Sequence, residues 1–292
     1  IRKFDADGKS VAKWTAENTG GKEKYPNGPI TVDQAGNIYA LCWGSPSIQK
    51  LLSDGRLVAE FQIAASRESR FAELAGVAVD RAGKVYAVDS SIPSIKQFDP
   101  NGQIVRTWDV PKTAEGKIKY PAFIAVDGSG NMYVTDKSSH CVHKLDAQGQ
   151  YIKSWGNKGT GDGQFDTPEG IAVDGSGPVY VCDRQNSRIQ KFDSGGTFLT
   201  KWGKAGSRDG EFHFPAAMAV DQEGNLFVAD SDNHRIQKFT AEGKFLTKWG
   251  EFGEAPGQFN VPLGIAVDKQ GNVYVSDSHN QRIQKFAPAA SR

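Results

Sequence analysis

The sequence has no run of apolar residues that approaches the length needed to cross a bilayer. It also has no excess of either charge: 35 Lys and Arg stand against 34 Asp and Glu, for a formal net charge of +1. This balance argues against a protein whose first task is to coat nucleic acid or an acidic membrane. We therefore expect no membrane insertion. The chain begins with Ile1 rather than Met, and we expect it to be a domain of a longer protein.

Cysteine is scarce, with three residues at unrelated positions: Cys42, Cys141 and Cys182. An odd number without regular spacing does not indicate a disulfide framework. Reduced thiols favour a cytoplasmic location, although an extracytoplasmic sensor domain that has no disulfides would also fit this composition.

A unit of 47 residues is repeated along the chain. An Asp recurs at this interval, and its copies are Asp33, Asp80, Asp127, Asp174, Asp221 and Asp268. An aromatic residue recurs in the same way, as Trp14, Phe61, Trp108, Trp155, Trp202 and Trp249. Each unit holds four short runs rich in Val, Ile, Tyr, Phe and Thr, separated by turn residues. Such runs are typical of antiparallel strands, which we name a, b, c and d in chain order.

A sheet of four strands with two apolar faces cannot bury both faces alone, so it must stack on copies of itself. A period in the forties with four strands per unit predicts an all-β protein, a six-bladed β-propeller. The repeats fill the 292 residues, and we interpret residues 1–292 as a single, monomeric domain.

The residues of Ile1–Trp14 match strands c and d of the repeat, and the chain ends after a further strand c at Arg282–Phe286. We therefore expect Val11–Trp14 to form the outer strand of the last blade, and Ile1–Phe4 to fray or pair elsewhere.

The longer connections, from d to a and from b to c, share one side of a propeller, which we call the top. Binding residues tend to lie on the longer loops of a rigid scaffold. Blades 4 to 6 repeat an Asp/Asn/Arg pattern, first as Asp183, Asn186 and Arg188, and we interpret this pattern as structural. The first three blades lose it and carry aromatic and basic residues instead. The predicted binding residues are Tyr25, Trp43, Arg67, Arg70, Lys112, Lys117, Lys119, Tyr120 and Phe123.

The last repeat, GQFNVPLGIAVDKQGNVYVSDSHNQRIQKF at Gly257–Phe286, resembles the NHL repeat almost position by position. The resemblance extends over all six repeats and implies a propeller fold. For function it implies several classes. Similar domains bind RNA or proteins in tripartite-motif proteins or act as sensors in bacterial receptor kinases, and one is a metal-dependent lyase that completes peptide amidation.

The resemblance to the lyase makes His140 a weak candidate metal ligand. The other two metal histidines of that enzyme follow the Pro before strand a, where this chain has Glu169, Ala216 and Leu263. A zinc site needs at least three protein ligands. We therefore expect no bound metal and no other cofactor.

No blade carries an insertion, and we find no nucleophile elbow and no phosphate-binding Gly loop. On this basis we expect a protein that is not an enzyme. The function that we favour is a binding or scaffold module that recognises a protein or peptide partner through its top face. Two alternatives stay open: single-stranded RNA binding on the same face, and a metal-dependent lyase that is similar to the peptide-amidating enzyme.

The repeated aromatic residue at the end of strand d is predicted to pack between neighbouring blades. We expect Trp202→Ala to lower the free energy of unfolding by about 3–5 kcal/mol, as large core truncations do. Chemical denaturation of the two proteins measures this difference. A loss below about 1 kcal/mol would show that Trp202 is a surface residue.

Overall fold

The computed structural model describes residues 2–4, 10–13, 26–42, 46–63, 73–109, 118–175 and 177–288. Within these ranges the protein consists of β-strands and one short 3-10 turn, Ser231–Asn233. The described residues include no helix that is long and apolar enough to cross a membrane.

Two strands, β1 (Arg2–Phe4) and β2 (Ser10–Lys13), precede the first blade. Blade 1 contains β3 (Pro26–Val32), β4 (Ile38–Cys42), β5 (Ser47–Leu51) and β6 (Leu57–Gln62). Blade 2 contains β7 (Leu74–Val79), β8 (Val85–Asp89), β9 (Ser94–Phe98) and β10 (Ile104–Asp109). Blade 3 contains β11 (Pro121–Val126), β12 (Met132–Asp136), β13 (Cys141–Leu145) and β14 (Tyr151–Trp155).

Blade 4 contains β15 (Pro168–Val173), β16 (Val179–Asp183), β17 (Arg188–Phe192) and β18 (Phe198–Trp202). Blade 5 contains β19 (Pro215–Val220), β20 (Leu226–Asp230), β21 (Arg235–Phe239) and β22 (Phe245–Trp249). Blade 6 contains β23 (Pro262–Val267), β24 (Val273–Asp277) and β25 (Arg282–Phe286). In blades 1 to 5 the chain order of the strands is also their order in the sheet.

The innermost strands form a closed ring, because each strand a contacts the strand a of both neighbouring blades. These strands are β3, β7, β11, β15, β19 and β23. The predicted all-β, six-bladed β-propeller with antiparallel blades is confirmed. The inner strands approach so closely that a Cβ atom added at Gly170 would lie 2.7 Å from the carbonyl oxygen of Ala216. A glycine is needed there because no side chain fits between the two backbones.

The core lies between the blades, because each apolar cluster joins residues of adjacent sheets. The aromatic residue that ends strand d packs on an aromatic residue of strand c in the following blade. The rings of Trp202 and Phe239 are 6.2 Å apart, and those of Trp155 and Phe192 are 5.9 Å apart. The predicted packing role of the repeated aromatic residue is confirmed in these blades. Trp14 lies outside the described residues.

The Asp that recurs every 47 residues caps the turn that follows strand a. Asp127 Oδ1 accepts hydrogen bonds from the backbone N–H groups of Ser129 and Asn131, each over 2.9 Å. Its Oδ2 accepts a bond of 2.8 Å from the Asn131 side chain. An Asp side chain holds a tight turn in this way because it bonds to backbone donors a few residues ahead.

The N-terminal segment completes the last blade, as expected, but not in the predicted order. β1 pairs in parallel with β25, with Arg2 opposite Gln284 and Phe4 opposite Phe286. β2 pairs with the far side of β1 and is the fifth strand of this sheet. The outermost position of β2 agrees with the outer strand expected at Val11–Trp14, but β1 lies between it and strand c. The slot for strand c is already filled by β25, which follows β24 through a short connection, so the first strand takes the free edge beside it.

We expect a proline in β1 to weaken this closure, because β1 has a strand on each side and proline removes a backbone donor. Lys3→Pro should lower the free energy of unfolding by about 1–3 kcal/mol, measured by urea denaturation. Lys3→Ala keeps the N–H group and should change it little. Equal stability of the two variants would contradict the pairing of β1 with β25.

Candidate functional site

In blade 4, residues at the facing ends of strands b and c contact the crossing that leads from blade 3 into this blade at the top. Strand b ends in Asp183, whose carboxylate is buried, and the Arg188 Nε donates to its Oδ2 over 2.7 Å. The other nitrogens of this guanidinium donate to three backbone carbonyls of the incoming crossing, those of Thr160, Gly161 and Gln164. Asn186 donates to the Asp183 carboxylate and to the same crossing. We call Asp183, Asn186 and Arg188 the clamp, and its predicted structural role is confirmed.

The clamp recurs in blades 5 and 6, as Asp230, Asn233 and Arg235 and as Asp277, Asn280 and Arg282. Blades 2 and 3 keep the Asp but give it a different basic partner. Lys96 Nζ lies 2.9 Å from Asp89, and His143 Nε2 lies 3.4 Å from Asp136. Each of these buried carboxylates therefore has a basic partner, as burial of a charge requires.

The replacement in blade 3 brings a Cys, a His and an Asp together. Cys141 Sγ lies 3.3 Å from His143 Nε2. Burial by itself raises the pKa of Asp136, but hydrogen bonds from His143 and from backbone N–H groups outweigh it and hold this pKa below its usual value. Burial raises the pKa of Cys141 to about 12. The thiol is therefore protonated at neutral pH, and a protonated thiol is a poor nucleophile.

His140, the weak candidate metal ligand, has a structural contact. Its Nδ1 accepts a hydrogen bond of 3.0 Å from the Thr167 N–H group, which links blade 3 to the crossing into blade 4. His234 makes the same contact with the Val261 N–H group over 3.2 Å. Among the described residues, no group of three or more His, Cys, Asp or Glu side chains is arranged to hold a metal ion.

Only part of the predicted binding surface lies in the described residues. Tyr25, Trp43, Arg67, Arg70, Lys112 and Lys117 lie outside them. Lys119 is exposed and Tyr120 is 41% exposed, both directly before strand a of blade 3 at the top. Phe123 is partly buried. It packs against the apolar cluster between blades 3 and 4 and also against the apolar cluster between blades 5 and 6. Its ring therefore lies among the inner strands.

A cluster of charged side chains lies at the top of the inner ring. Glu169 is the second residue of strand a of blade 4, and its side chain is 11% exposed. Lys137 forms an ion pair with Glu169 Oε1, and Arg184 Nε lies 2.8 Å from Oε2. The Arg184 guanidinium lies 5.1 Å from the centre of the Phe214 ring. We call Lys137, Glu169, Arg184 and Phe214 the Glu169 cluster. It holds two cations and one carboxylate.

The Glu169 cluster was missed in the sequence, although the repeat contains a signal for it. Lys137 and Arg184 share one position, directly after the Asp that ends strand b. The other blades have Trp43, Ser90, Ser231 and Ser278 there. The position of Glu169 holds Gly28, Ala75, Ala122, Ala216 and Leu263 in the other blades. Charge at each repeat position singles out all three residues, whereas loop lengths and the Asp/Asn/Arg pattern do not.

The bottom of the ring has a cavity of about 170 Å³ between the turns of blades 1 to 4. It is lined by Val32, Val79, Val126 and Val173 and by Asp33, Asp80, Asp127 and Asp174. The carboxylates of Asp33 and Asp127 accept hydrogen bonds from their own turns and from a neighbouring Tyr hydroxyl. These acids therefore serve as turn caps.

The geometry defines a six-bladed β-propeller whose top carries a charged cluster. The NHL repeat model matches residues 165–192, 212–239 and 259–286. These segments lie in blades 4, 5 and 6, the blades that have the full clamp, and the resemblance to NHL repeats is confirmed for them. No match to the chain was found among curated protein sequences.

Solved structures of the same fold include enzymes. A streptogramin B lyase is 17% identical with a TM-score of 0.65, and the match covers 90% of this chain and 92% of the lyase. A catalytically inactive virginiamycin B lyase from Staphylococcus aureus, solved with quinupristin, is 15% identical with a TM-score of 0.63 and coverage of 97% and 85%. A gluconolactonase from Xanthomonas campestris is 14% identical with a TM-score of 0.65 and coverage of 87% and 84%.

These structures overturn the expectation that the protein is not an enzyme. That expectation took blades of uniform length as a sign that catalysis is absent. A lyase and a lactonase share this fold over most of their length, so a regular propeller is no argument against catalysis. At this level of identity the likeness shows the fold alone.

Asp136 should make the stability of the protein sensitive to acid. Its pKa is lower in the folded chain than in the unfolded chain, where an Asp titrates near ~3.9. Its contribution to stability is therefore present above that pH and is lost as the pH falls through the folded pKa. We expect Asp136→Asn to lose less stability than the wild type between about pH 5 and about pH 2.5, measured by urea denaturation. Asp109→Asn, at an exposed carboxylate, should follow the wild type. Equal pH dependence in all three proteins would contradict the assignment.

Proposed function

We propose that this protein binds a peptide segment of a partner protein at the top of the ring, over the Glu169 cluster. The observation that carries this proposal is the cluster itself. Its three charged side chains depart from the repeat at positions that are small or uncharged in the other described blades. Lys137 and Arg184 keep side-chain exposures of 28%, so a ligand can reach both cations.

The surroundings of the cluster support a peptide ligand. Tyr120, 41% exposed, lies beside Lys137, whose backbone N–H donates to the Tyr120 carbonyl oxygen over 3.1 Å. On the other side, Phe214 stacks on His213 with 4.7 Å between the ring centres. Aromatic residues and Arg on a rigid surface are the residue types that dominate the affinity of protein interfaces.

The charge pattern favours a peptide over single-stranded RNA. An RNA surface gains affinity from cations that neutralise successive phosphates. Here the basic groups alternate with acids: Glu169 pairs with Lys137 and Arg184, Asp166 lies 3.6 Å from His140, and Asp232 lies 3.7 Å from His213. A chain of phosphates would meet these carboxylates as well, which would weaken its binding.

Selection of random peptides on the purified protein tests the proposal. We expect peptides that bind with micromolar affinity and lose at least about tenfold on Tyr120→Ala, since aromatic residues that dominate an interface contribute about 2 kcal/mol or more and about 1.4 kcal/mol is tenfold. Leu199→Ala, at a 50% exposed residue on the outer strand of blade 4, is the matched control and should bind as the wild type does. Peptides that bind both variants equally would place the site elsewhere.

Two further measurements separate the alternatives. A random pool of single-stranded RNA, titrated at several salt concentrations, should bind weakly and without sequence selection. Submicromolar RNA binding with a steep salt dependence would overturn the peptide proposal. The mass of each bound peptide should also be measured after incubation, because a change in mass would show that the site transforms its ligand.

A further inference from the structure

Arg184 differs from the arginines of the clamp in what its guanidinium contacts. In Arg188, Arg235 and Arg282, both terminal nitrogens donate to backbone carbonyls. In the described part of the chain, Arg184 contacts Glu169 through Nε, and its guanidinium carbon lies over the Phe214 ring. No described acceptor takes a hydrogen bond from its Nη1 or Nη2. The terminal edge of Arg184, with two parallel donors, is therefore available to a ligand.

The contacts of Arg184 also fix the orientation of that edge. Glu169 Oε2 lies 2.8 Å from Nε, and the centre of the Phe214 ring lies 5.1 Å from the guanidinium carbon, so the guanidinium is confined on two sides. A planar guanidinium that is already held loses little freedom when it forms two further hydrogen bonds. Arg184 Nε and Glu169 Oε2 are buried but are not aligned for a hydrogen bond with each other, so this ion pair leaves hydrogen-bonding capacity unused, which is uncommon for buried polar atoms.

The charge of the cluster indicates what would bind there. Lys137 and Arg184 supply two positive charges and Glu169 one negative charge, so a single monovalent anion would neutralise the cluster. A carboxylate has this charge, and its two oxygens match the terminal edge of a guanidinium in a bidentate pair. A phosphate dianion would carry a second charge that Glu169 repels.

We infer that the ligand of the top face carries a carboxylate, which Arg184 binds through Nη1 and Nη2 while Lys137 contributes the second positive charge. This inference rests on the proposed peptide-binding function and names the group that the site recognises. The carboxylate belongs to the C-terminus of a peptide or to an Asp or Glu side chain, and the test distinguishes these sources.

The test is a titration of the ¹⁵N-labelled protein with small probes at constant ionic strength, followed through the Nε–Hε signal of Arg184. The probes are N-acetylglycine for a peptide C-terminus, N-acetylglutamate α-amide for an acidic side chain, N-acetylglycinamide without a carboxylate, and inorganic phosphate. We expect a saturable shift with one or both carboxylates in the millimolar range and no saturable shift with N-acetylglycinamide. The tighter of the two carboxylate probes identifies the source.

Variants at position 184 test the geometry. Arg184→Lys keeps the charge but loses the bidentate edge, and Arg184→Gln loses both. We expect each to bind the carboxylate probe at least about tenfold more weakly, followed through the backbone amide signals of residues 137 and 169. Arg208→Lys, at an exposed arginine of the crossing into blade 5, is the control and should bind as the wild type does. Melting temperatures of the variants show whether each remains folded.

Three results would overturn the inference: no saturable shift up to about 100 mM of either carboxylate, tighter binding of phosphate, or full affinity in a folded Arg184→Lys.

Failure of the carboxylate inference can be told apart from failure of the proposed peptide binding. Selected peptides can be compared with versions that have a C-terminal amide and no acidic residues. If both bind the top face equally well, peptide binding stands and the carboxylate inference fails. If N-acetylglycine binds at Arg184 but no peptide is selected, the carboxylate site stands and the proposed function fails.

Discussion

The packing of each sheet on the next is the interaction on which the rest of this structure depends. Trp155 and Trp202 each pack against a Phe of the following blade, with ring centres 5.9 Å and 6.2 Å apart. Because the apolar faces of a blade meet only other blades, no sheet is stable without its neighbours. The ring must therefore close: β23 of blade 6 meets β3 of blade 1, and β1, from the other end of the chain, completes blade 6 by pairing with β25.

The packing between blades does not fix the loops at the top, so each of these loops needs contacts of its own. In blades 4 to 6 an Arg that is paired with a buried Asp donates hydrogen bonds to backbone carbonyls of the incoming crossing. The crossing into blade 4 then lies in a defined place, and it leads directly to Glu169 at the start of strand a. The clamp therefore positions one member of the Glu169 cluster, although it takes no part in the cluster itself.

The Glu169 cluster shows how a regular repeat carries a site without any change in length. Lys137 and Arg184 stand at a repeat position that is uncharged in the other blades, and Glu169 stands at one that is small or apolar in the others. None of these changes alters a strand, so the fold tolerates them. The same reasoning explains why uniform blades could not exclude catalysis: a lyase and a lactonase share the fold, and chemistry needs only a few side chains on a common scaffold.

The repeat pattern was enough to predict the six blades, their four-stranded pattern and the packing role of the repeated aromatic residue. It could do so because these features follow from a local period of 47 residues and from the need of each apolar face for a partner. The order of the strands that close blade 6 and the meeting of Lys137, Glu169 and Arg184 were decided only by the tertiary structure. Lys137 is 32 residues before Glu169, and the two lie in different blades. Nothing in the local pattern of either blade specifies that contact, since it arises only where stacked blades bring different repeat positions together.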